Sequence, residues 1–391
     1  MESRSGPDEA ESGVGAREVT VGIIADPGLP TMILEQLSDR LVDTFTERVD
    51  RSVSWKLETS RDILPLNDKG EVPLEAVTER MRAKHGWDLM VYLTDLPRLH
   101  NGEPLVCDIN APGHAALISV PALGILRVSR RALRVIVEAL RVMISDDDDP
   151  SADVVINSAA GARLAPIRHG PSGETANSFF QLKGVRGYVR LLTGMVRSNR
   201  PWRLLPSLSG ALAASAATGA FGVFYTSIWT MADHLSPARL AMISLFAIGI
   251  MATWLIAHNN LWERPSGHAP RRRAVLYNSF TIGTVATGVI IMYLTLYLVL
   301  FLAALAVINV DFLASQLGHD ADAWDYLSLT WLSASMGAVA GALGSSFDNE
   351  EAIRSATYSR RENERHKLIE ARDNDSGDDE ARDNESGDDT A

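Results

Sequence analysis

The chain has 391 residues, a formal net charge of −12 and a single cysteine, Cys107, which excludes an intramolecular disulfide and any paired-cysteine zinc site. The charge is unevenly placed, since residues 370–391 carry ten carboxylates against two arginines, which accounts for −8 of the total. Arginine outnumbers lysine 32 to 5, a bias expected of a GC-rich bacterial genome, and the first half has no basic stripe of the kind that binds nucleic acid.

Residues 1–17 are polar, with neither a basic n-region nor an apolar core, so they are expected to be disordered and not to act as a signal peptide. An α/β domain is expected over 18–145. Val19 to Ala25 reads as a fully buried strand and Asp26 to Pro30 as a turn. Thr31 to Val49 has helical apolar spacing at Leu34, Leu37, Leu41, Val42 and Phe45. A second strand alternates around Val53, Trp55 and Leu57, and a turn-rich loop follows through Pro65 and Lys69-Gly70. Pro73 then opens a helix that stops at His85-Gly86. Trp87 to Leu93 is a third buried strand ending in Thr94-Asp95. This β-α-β-α-β order predicts a mainly parallel sheet. Pro104 to Cys107 and Ala115 to Val120 are short enough to add an antiparallel edge, and Ser129 to Met143 is a closing helix.

Ligands of open α/β sheets bind beyond the carboxyl ends of the strands. Those ends carry Asp26, Gly28, Thr94, Asp95 and Asp108, with His100 and His114 nearby, which makes them the expected ligand crevice. Polar residues also occur at strand ends simply because the chain meets solvent there. Ala25-Asp-Pro-Gly-Leu-Pro30 lacks the glycine spacing of a dinucleotide fingerprint and the Gly-Lys-Ser/Thr of a P-loop. The nine histidines form no metal-binding pair spacing, Ser119 lacks a G-x-S-x-G elbow, and Cys107 reads as a small buried apolar side chain. No cofactor is named by any motif.

The strands Tyr92-Leu-Thr-Asp-Leu96, Pro104-Leu-Val-Cys-Asp108 and Ala116-Leu-Ile-Ser-Val120, placed after two α/β units, resemble in order the early sheet of archaemetzincin-like zinc peptidases. The helix that follows would then bring two histidines. Here it reads Arg131-Ala-Leu-Arg-Val-Ile-Val-Glu138, so the resemblance implies a metal-free sheet.

Residues 146–181 read as a linker, opening on Asp146 to Asp149 and Pro150, with a short strand at Val154 to Asn157. Over 182–203 an amphipathic juxtamembrane helix is expected. Arg186, Arg190 and Arg197 share one face of it, while Tyr188, Leu191, Leu192 and Met195 share the other. Such a helix lies on a membrane surface with its arginines on anionic headgroups and Trp202 as an aromatic anchor, or else docks on the soluble domain.

From 204 to 347 an all-α bundle of four transmembrane helices is expected, at about 204–231, 238–257, 275–310 and 324–346. The third stretch is long enough to be two short spans. Lys183 to Arg203, Arg264 with Arg271 to Arg273, and Arg354 to Lys367 alternate with connections poor in Lys and Arg, so four spans put every basic cluster on one side. Both termini are then cytoplasmic. No charged side chain lies within the span cores, which argues against ion-coupled transport. Gly210, Ala214, Thr218 and Gly222 in span one, and Ser333, Gly337 and Gly341 in span four, are small residues spaced for close helix packing, inside the bundle or in a homo-oligomer through span four. With Asn199-Arg-Pro-Trp202, Asp325-Tyr-Leu327 and Gly341-Ala-Leu-Gly344, the whole chain resembles an uncharacterised family of bacterial multi-pass membrane proteins. That resemblance implies the same layout and, weakly, a folate-related dehydrogenase, for which the cofactor motif is missing.

Residues 348–369 form a basic cytosolic segment, and 370–391 are a duplicated acidic ten-residue repeat, expected to be a solvated tail because its spacing departs from a calcium loop. The expected function is therefore a bacterial plasma-membrane anchor, sensor or scaffold whose cytosolic domain binds an unidentified ligand or protein. The alternatives are a membrane-tethered enzyme, nucleotide- or folate-related, and a transporter component.

Overall fold

The computed structural model describes residues 17–60, 64–67, 72–100, 102–144, 167–172, 177–263 and 271–358. The expected disordered start, the Val154 to Asn157 strand, the basic residues from Arg360 on and the acidic repeat lie outside them.

The first part is an eight-stranded sheet with helices on both faces. Its elements are β1 (Arg17–Ala25), α1 (Leu29–Arg48), β2 (Val53–Ser60), α2 (Leu74–His85), β3 (Leu89–Thr94), β4 (Leu99–His100), β5 (Glu103–Asn110), β6 (Ala115–Ser119), α3 (Val128–Ile144), β7 (Ile167–Ser172) and β8 (Asn177–Leu182). The expected α/β succession holds through β3. Pro73 stands at the N-cap of α2, and Gly86 ends that helix at φ 71, a left-handed position natural to glycine.

The sheet order is β2-β1-β3-β6-β5-β8-β7, with β4 paired to β5. β1, β2, β3 and β6 pair in parallel, while β5, β8, β7 and β4 pair antiparallel. The sheet is thus mixed, not mainly parallel. β5 and β6 form a hairpin whose second strand slots beside β3, so the antiparallel part is half of the sheet and not an edge. Residues 167–172 and 177–182, read above as linker up to 181 and as the start of the juxtamembrane helix at 182, supply two of its strands. Trp55, Val21, Val91 and Ile118 face α1 and α3, whereas Ile24, Tyr92, Leu117 and Trp87 face α2.

The second part is helical: α4 (Gly184–Asn199), α5 (Leu204–Ser207), α6 (Ser209–Phe224), α7 (Thr226–Asp233), α8 (Pro237–His258), α9 (Arg271–Val307), α10 (Val310–Leu317), α11 (Ala323–Gly344) and α12 (Glu350–Thr357). Among the described residues, three helices, Pro237–His258, Ala274–Val307 and Ala323–Gly344, are long and apolar enough to cross a membrane; a fourth span results if the pair Gly184–Ser207 and Ser209–Phe224, bent by 61°, is one. The third apolar stretch is one unbroken helix of 37 residues, not a hairpin. At 1.5 Å per residue it measures about 55 Å, well beyond a ~30 Å hydrocarbon layer.

The expected first span is broken at Tyr225, which adopts an extended conformation between α6 and α7. The break deprives the Gly222 carbonyl of its helical donor, and the indole N–H of Trp229 donates to it at 3.1 Å instead. At the other end of α6, the Asp348 carboxylate accepts from the Gly210 and Ala211 amides at 2.6 and 3.1 Å. An acid 138 residues away in sequence therefore caps this helix.

One apolar core joins the two parts. It runs from the α1/α3 face of the sheet through Leu191 and Met195 of α4 to Leu255 of α8 and Phe280 and Val289 of α9. A second core, around Tyr293, Leu296, Leu329 and Leu332, fills the far half of the bundle.

Candidate functional site

Asp26, directly after β1, is buried, and its carboxylate is held by the next strand. Tyr92 Oη donates to Oδ1, Thr94 Oγ1 donates to Oδ2 at 2.6 Å, and the Asp95 amide approaches Oδ2 at 3.4 Å. The Asp26 carbonyl accepts from the Thr31 amide and hydroxyl at 3.2 and 2.8 Å. Thr94 Oγ1 in turn accepts from the Leu96 amide at 3.1 Å, and Ser119 Oγ donates to the Leu96 carbonyl at 3.0 Å. Asp26, Thr94 and Asp95 thus come together as expected, but in a buried clamp joining β1, β3 and β6. Gly28 supplies the turn into α1, with φ 118 and no atom within 4 Å of where its Cβ would stand.

Asp108 is elsewhere. It lies within β5, paired with Leu117 of β6, so β6 separates it from the Asp26 clamp although both are on the α2 face. There it borders an open cleft of about 310 Å³ with Arg98, Glu75, Asn110 and the first turn of α2. Arg98 reaches the Asp108 carboxylate and the Val72 carbonyl, each at 3.4 Å. Burial raises the Asp108 pKa; Arg98 and His100 oppose the rise and Glu75 adds to it. The cleft joins a carboxyl that takes a proton more readily than usual, a cation and an amide on one wall. It suits a small ligand carrying both acceptor and donor groups.

His114 does not belong to either group. It sits in the β5–β6 turn at φ 52, and its carbonyl accepts from the Met90 amide at 2.9 Å. That places it at the amino end of β3 and β6, opposite Asp26, because β5 runs antiparallel to β6. Its Nδ1 is buried without a hydrogen-bond partner among the described residues. Cys107 is buried, and burial pushes its thiol well up, which leaves a packing role.

On α4, Arg186 is exposed, and Trp202 beyond the helix is exposed as well. Arg190 and Arg197 instead turn to the soluble domain, donating to the Leu123 and Ile125 carbonyls. Gly194 lies so close to the Pro121 carbonyl oxygen that a Cβ would stand 1.9 Å from it. Of the two arrangements open to this helix, the structure has the docked one. The small-residue stripes face each other within the chain: a Cβ on Gly222 would meet Ser333, on Gly337 the Ser215 carbonyl, on Gly341 the Ser215 hydroxyl, and on Gly210 the Asp348 carboxylate. The face of span four expected to serve a homo-oligomer is covered by α6.

Sequence reading missed Arg98, Glu75 and Asn110. Only the fold of Arg98 onto β5, ten residues before Asp108, could have linked them. It also missed Asp233, His319 and Asp325, at the end of the bundle away from the sheet, whose donor atoms lie within 4.8 Å of one another and could hold a cation. His319 Nε2 is 3.3 Å from Asp233, whereas Asp325 accepts from the Asp322 amide at 2.8 Å, within the cap of α11. The Asp320 carbonyl first, and then Asp233, raise the pKa of His319.

No protein-family model matches this chain, and no curated protein matches it. Among solved structures, the crystal structure of archaemetzincin from Methanopyrus kandleri is similar to part of it, with 19% identity, a TM-score of 0.28, and coverage of 35% of this chain and 80% of the other. The similarity is weak and partial, and it assigns no activity here.

Proposed function

We propose that this chain is a multi-pass protein of the bacterial plasma membrane with cytoplasmic termini, and that its α/β domain binds a small polar ligand in the cleft between α2 and β5. The bundle anchors the domain and receives its state. The supporting observation is the shared core: α4 packs on the sheet domain on one side and on α9 of the bundle on the other, which gives a change in the domain a contiguous route to the apolar helices. Trp202, exposed just before the first apolar helix, and the exposed Arg186 at the start of α4 are the residues we propose for contact with anionic headgroups.

A membrane-tethered enzyme is the second reading, favoured by Asp108 alone, since a carboxyl with a raised pKa beside a cation is suited to proton transfer. The melting temperature of the full-length protein in neutral detergent, against nucleotides, nicotinamide cofactors, folates and divalent metals, tests the first reading. A saturable rise that Arg98→Met abolishes supports the cleft. A flat panel rejects a small ligand of these classes and turns the search to protein partners. Turnover of a bound compound, lost in Asp108→Asn with binding retained, would favour the enzyme.

A further inference from the structure

The joint between sheet and bundle holds a cluster of cations that the ligand cleft does not use. Arg190 of α4 is 7% exposed, yet its Nε and Nη1 have no hydrogen-bond partner among the described residues. Its Nη2 donates to the Leu123 carbonyl at 3.3 Å, and Arg131 Nη1 of α3 donates to the same oxygen at 2.6 Å. A buried cation with unmet donors is costly, and a like charge beside it makes matters worse. Burial first, and Arg131 second, bring the Arg190 pKa down to about 10. Arg131 is lowered in the same sense by burial, Arg127 and Arg134. Among the described residues, no carboxylate acts on either guanidinium.

The two side chains converge on Gly124. The point its Cβ would occupy lies 3.3 Å from Arg131 Nη1 and 3.5 Å from Arg190 Nε, and the backbone there is left-handed at φ +81. Ile125 and Leu126, next in the chain, are 47% and 65% exposed, and Arg127 after them is again left-handed at φ 51. This turn carries bare apolar side chains and stands beside the helix that leads into the bundle.

We propose that Arg131 and Arg190, where they meet at Gly124, seat a phosphate group, that of an anionic lipid headgroup or of a soluble phosphate monoester. A phosphate has acceptors for the unmet Arg190 donors and for Arg131 at once, and guanidinium groups match its geometry in pairs. Access requires the turn 124–127 to move aside. The site is separate from the α2/β5 cleft, so either can fail without the other.

The test compares melting temperatures of full-length wild type, Arg190→Met and Arg131→Gln in nanodiscs of phosphatidylcholine alone or mixed with phosphatidylglycerol, and in neutral detergent with or without glycerol phosphate. Without a phosphate donor in neutral detergent, Arg190→Met should melt no lower than wild type, because an uncompensated charge has been removed. With phosphatidylglycerol or glycerol phosphate, wild type should gain about 3 °C or more while both variants gain little. A gain with the lipid alone identifies a headgroup; a gain with glycerol phosphate in detergent identifies a soluble ligand. If wild type gains from neither, or Arg190→Met gains as much as wild type, the site does not exist. Should Arg190→Met fail to fold, Arg131→Gln carries the same comparison.

Discussion

The sheet domain and the helical bundle both bring backbone into close contact through glycine, but they close the gap against different things. Gly22 of β1 leaves room for the buried Trp87 ring, a side chain, whereas Gly337 of α11 lies against the Ser215 carbonyl, which cannot retreat without moving a helix. They also handle polarity differently. The sheet buries the Asp26 carboxylate under a tyrosine and a threonine hydroxyl, while midway along the bundle Ser244, Tyr293 and Ser335 link three helices through neutral hydroxyls 2.9–3.2 Å apart. A carboxyl group can be buried where strand side chains supply fixed hydroxyl partners. Between apolar helices, neutral groups that satisfy one another serve instead. Within the bundle, 67% of the apolar window of α11 is buried against 33% for α8 and α9, so the most enclosed helix is also the one built from small and hydroxyl-bearing residues.

The largest effect should come from Gly337→Ala, whose Cβ would stand 2.4 Å from the Ser215 oxygen. A loss of about 3 kcal/mol or more is expected in detergent melts, with no rescue from trimming a neighbouring side chain. Gly22→Ala is the matching break in the sheet. It should cost about 2 kcal/mol and be partly restored by Trp87→Leu, since there the clash is with a ring. Failure of that rescue would erase the distinction between the two regions.

Asp26→Ala removes the acceptor of the Tyr92 and Thr94 hydroxyls and should cost about 2 kcal/mol, measured by denaturant unfolding of the full chain. Asp348→Ala removes the cap on α6 and should cost about 1 kcal/mol, visible as faster hydrogen exchange at Gly210 and Ala211. The smallest change is expected at Asp108. Its carboxyl binds a proton more tightly folded than unfolded, so its contribution to stability falls as pH rises from the unfolded value near 3.8 through the raised folded one. Asp108→Asn should remove that slope. Its melting temperature should equal or slightly exceed that of wild type at neutral pH, with the gap closing below about pH 4.

The first three strands and first two helices were legible because they are punctuated: Pro73 and Gly86 bracket α2, and apolar spacing marks α1. β7 and β8 were not, since Gly170, Pro171 and Ser172 read as linker and their pairing to β5 is remote in sequence. Asp26, Thr94 and Asp95 could be grouped because each directly ends or follows a strand of the parallel part. Asp108 and His114 were misplaced because a hairpin reverses direction, and nothing local to them records that β6 joins β3. The amphipathic pattern of α4 was right as a pattern, yet it holds for a helix on a surface and for one docked on protein.

By itself, then, the sequence determined the first three strands and two helices and which later stretches are apolar enough to span, because these follow from local propensity and hydrophobic period; that 271–307 is one unbroken helix came from the structure. Only the tertiary structure decided that the sheet is mixed, that Arg190 is buried beside Arg131, that Asp348 caps α6 and that the glycine stripes of α6 and α11 cover each other. Each of these depends on which distant surfaces meet, and the free energy of that meeting belongs to pairs of segments rather than to either one.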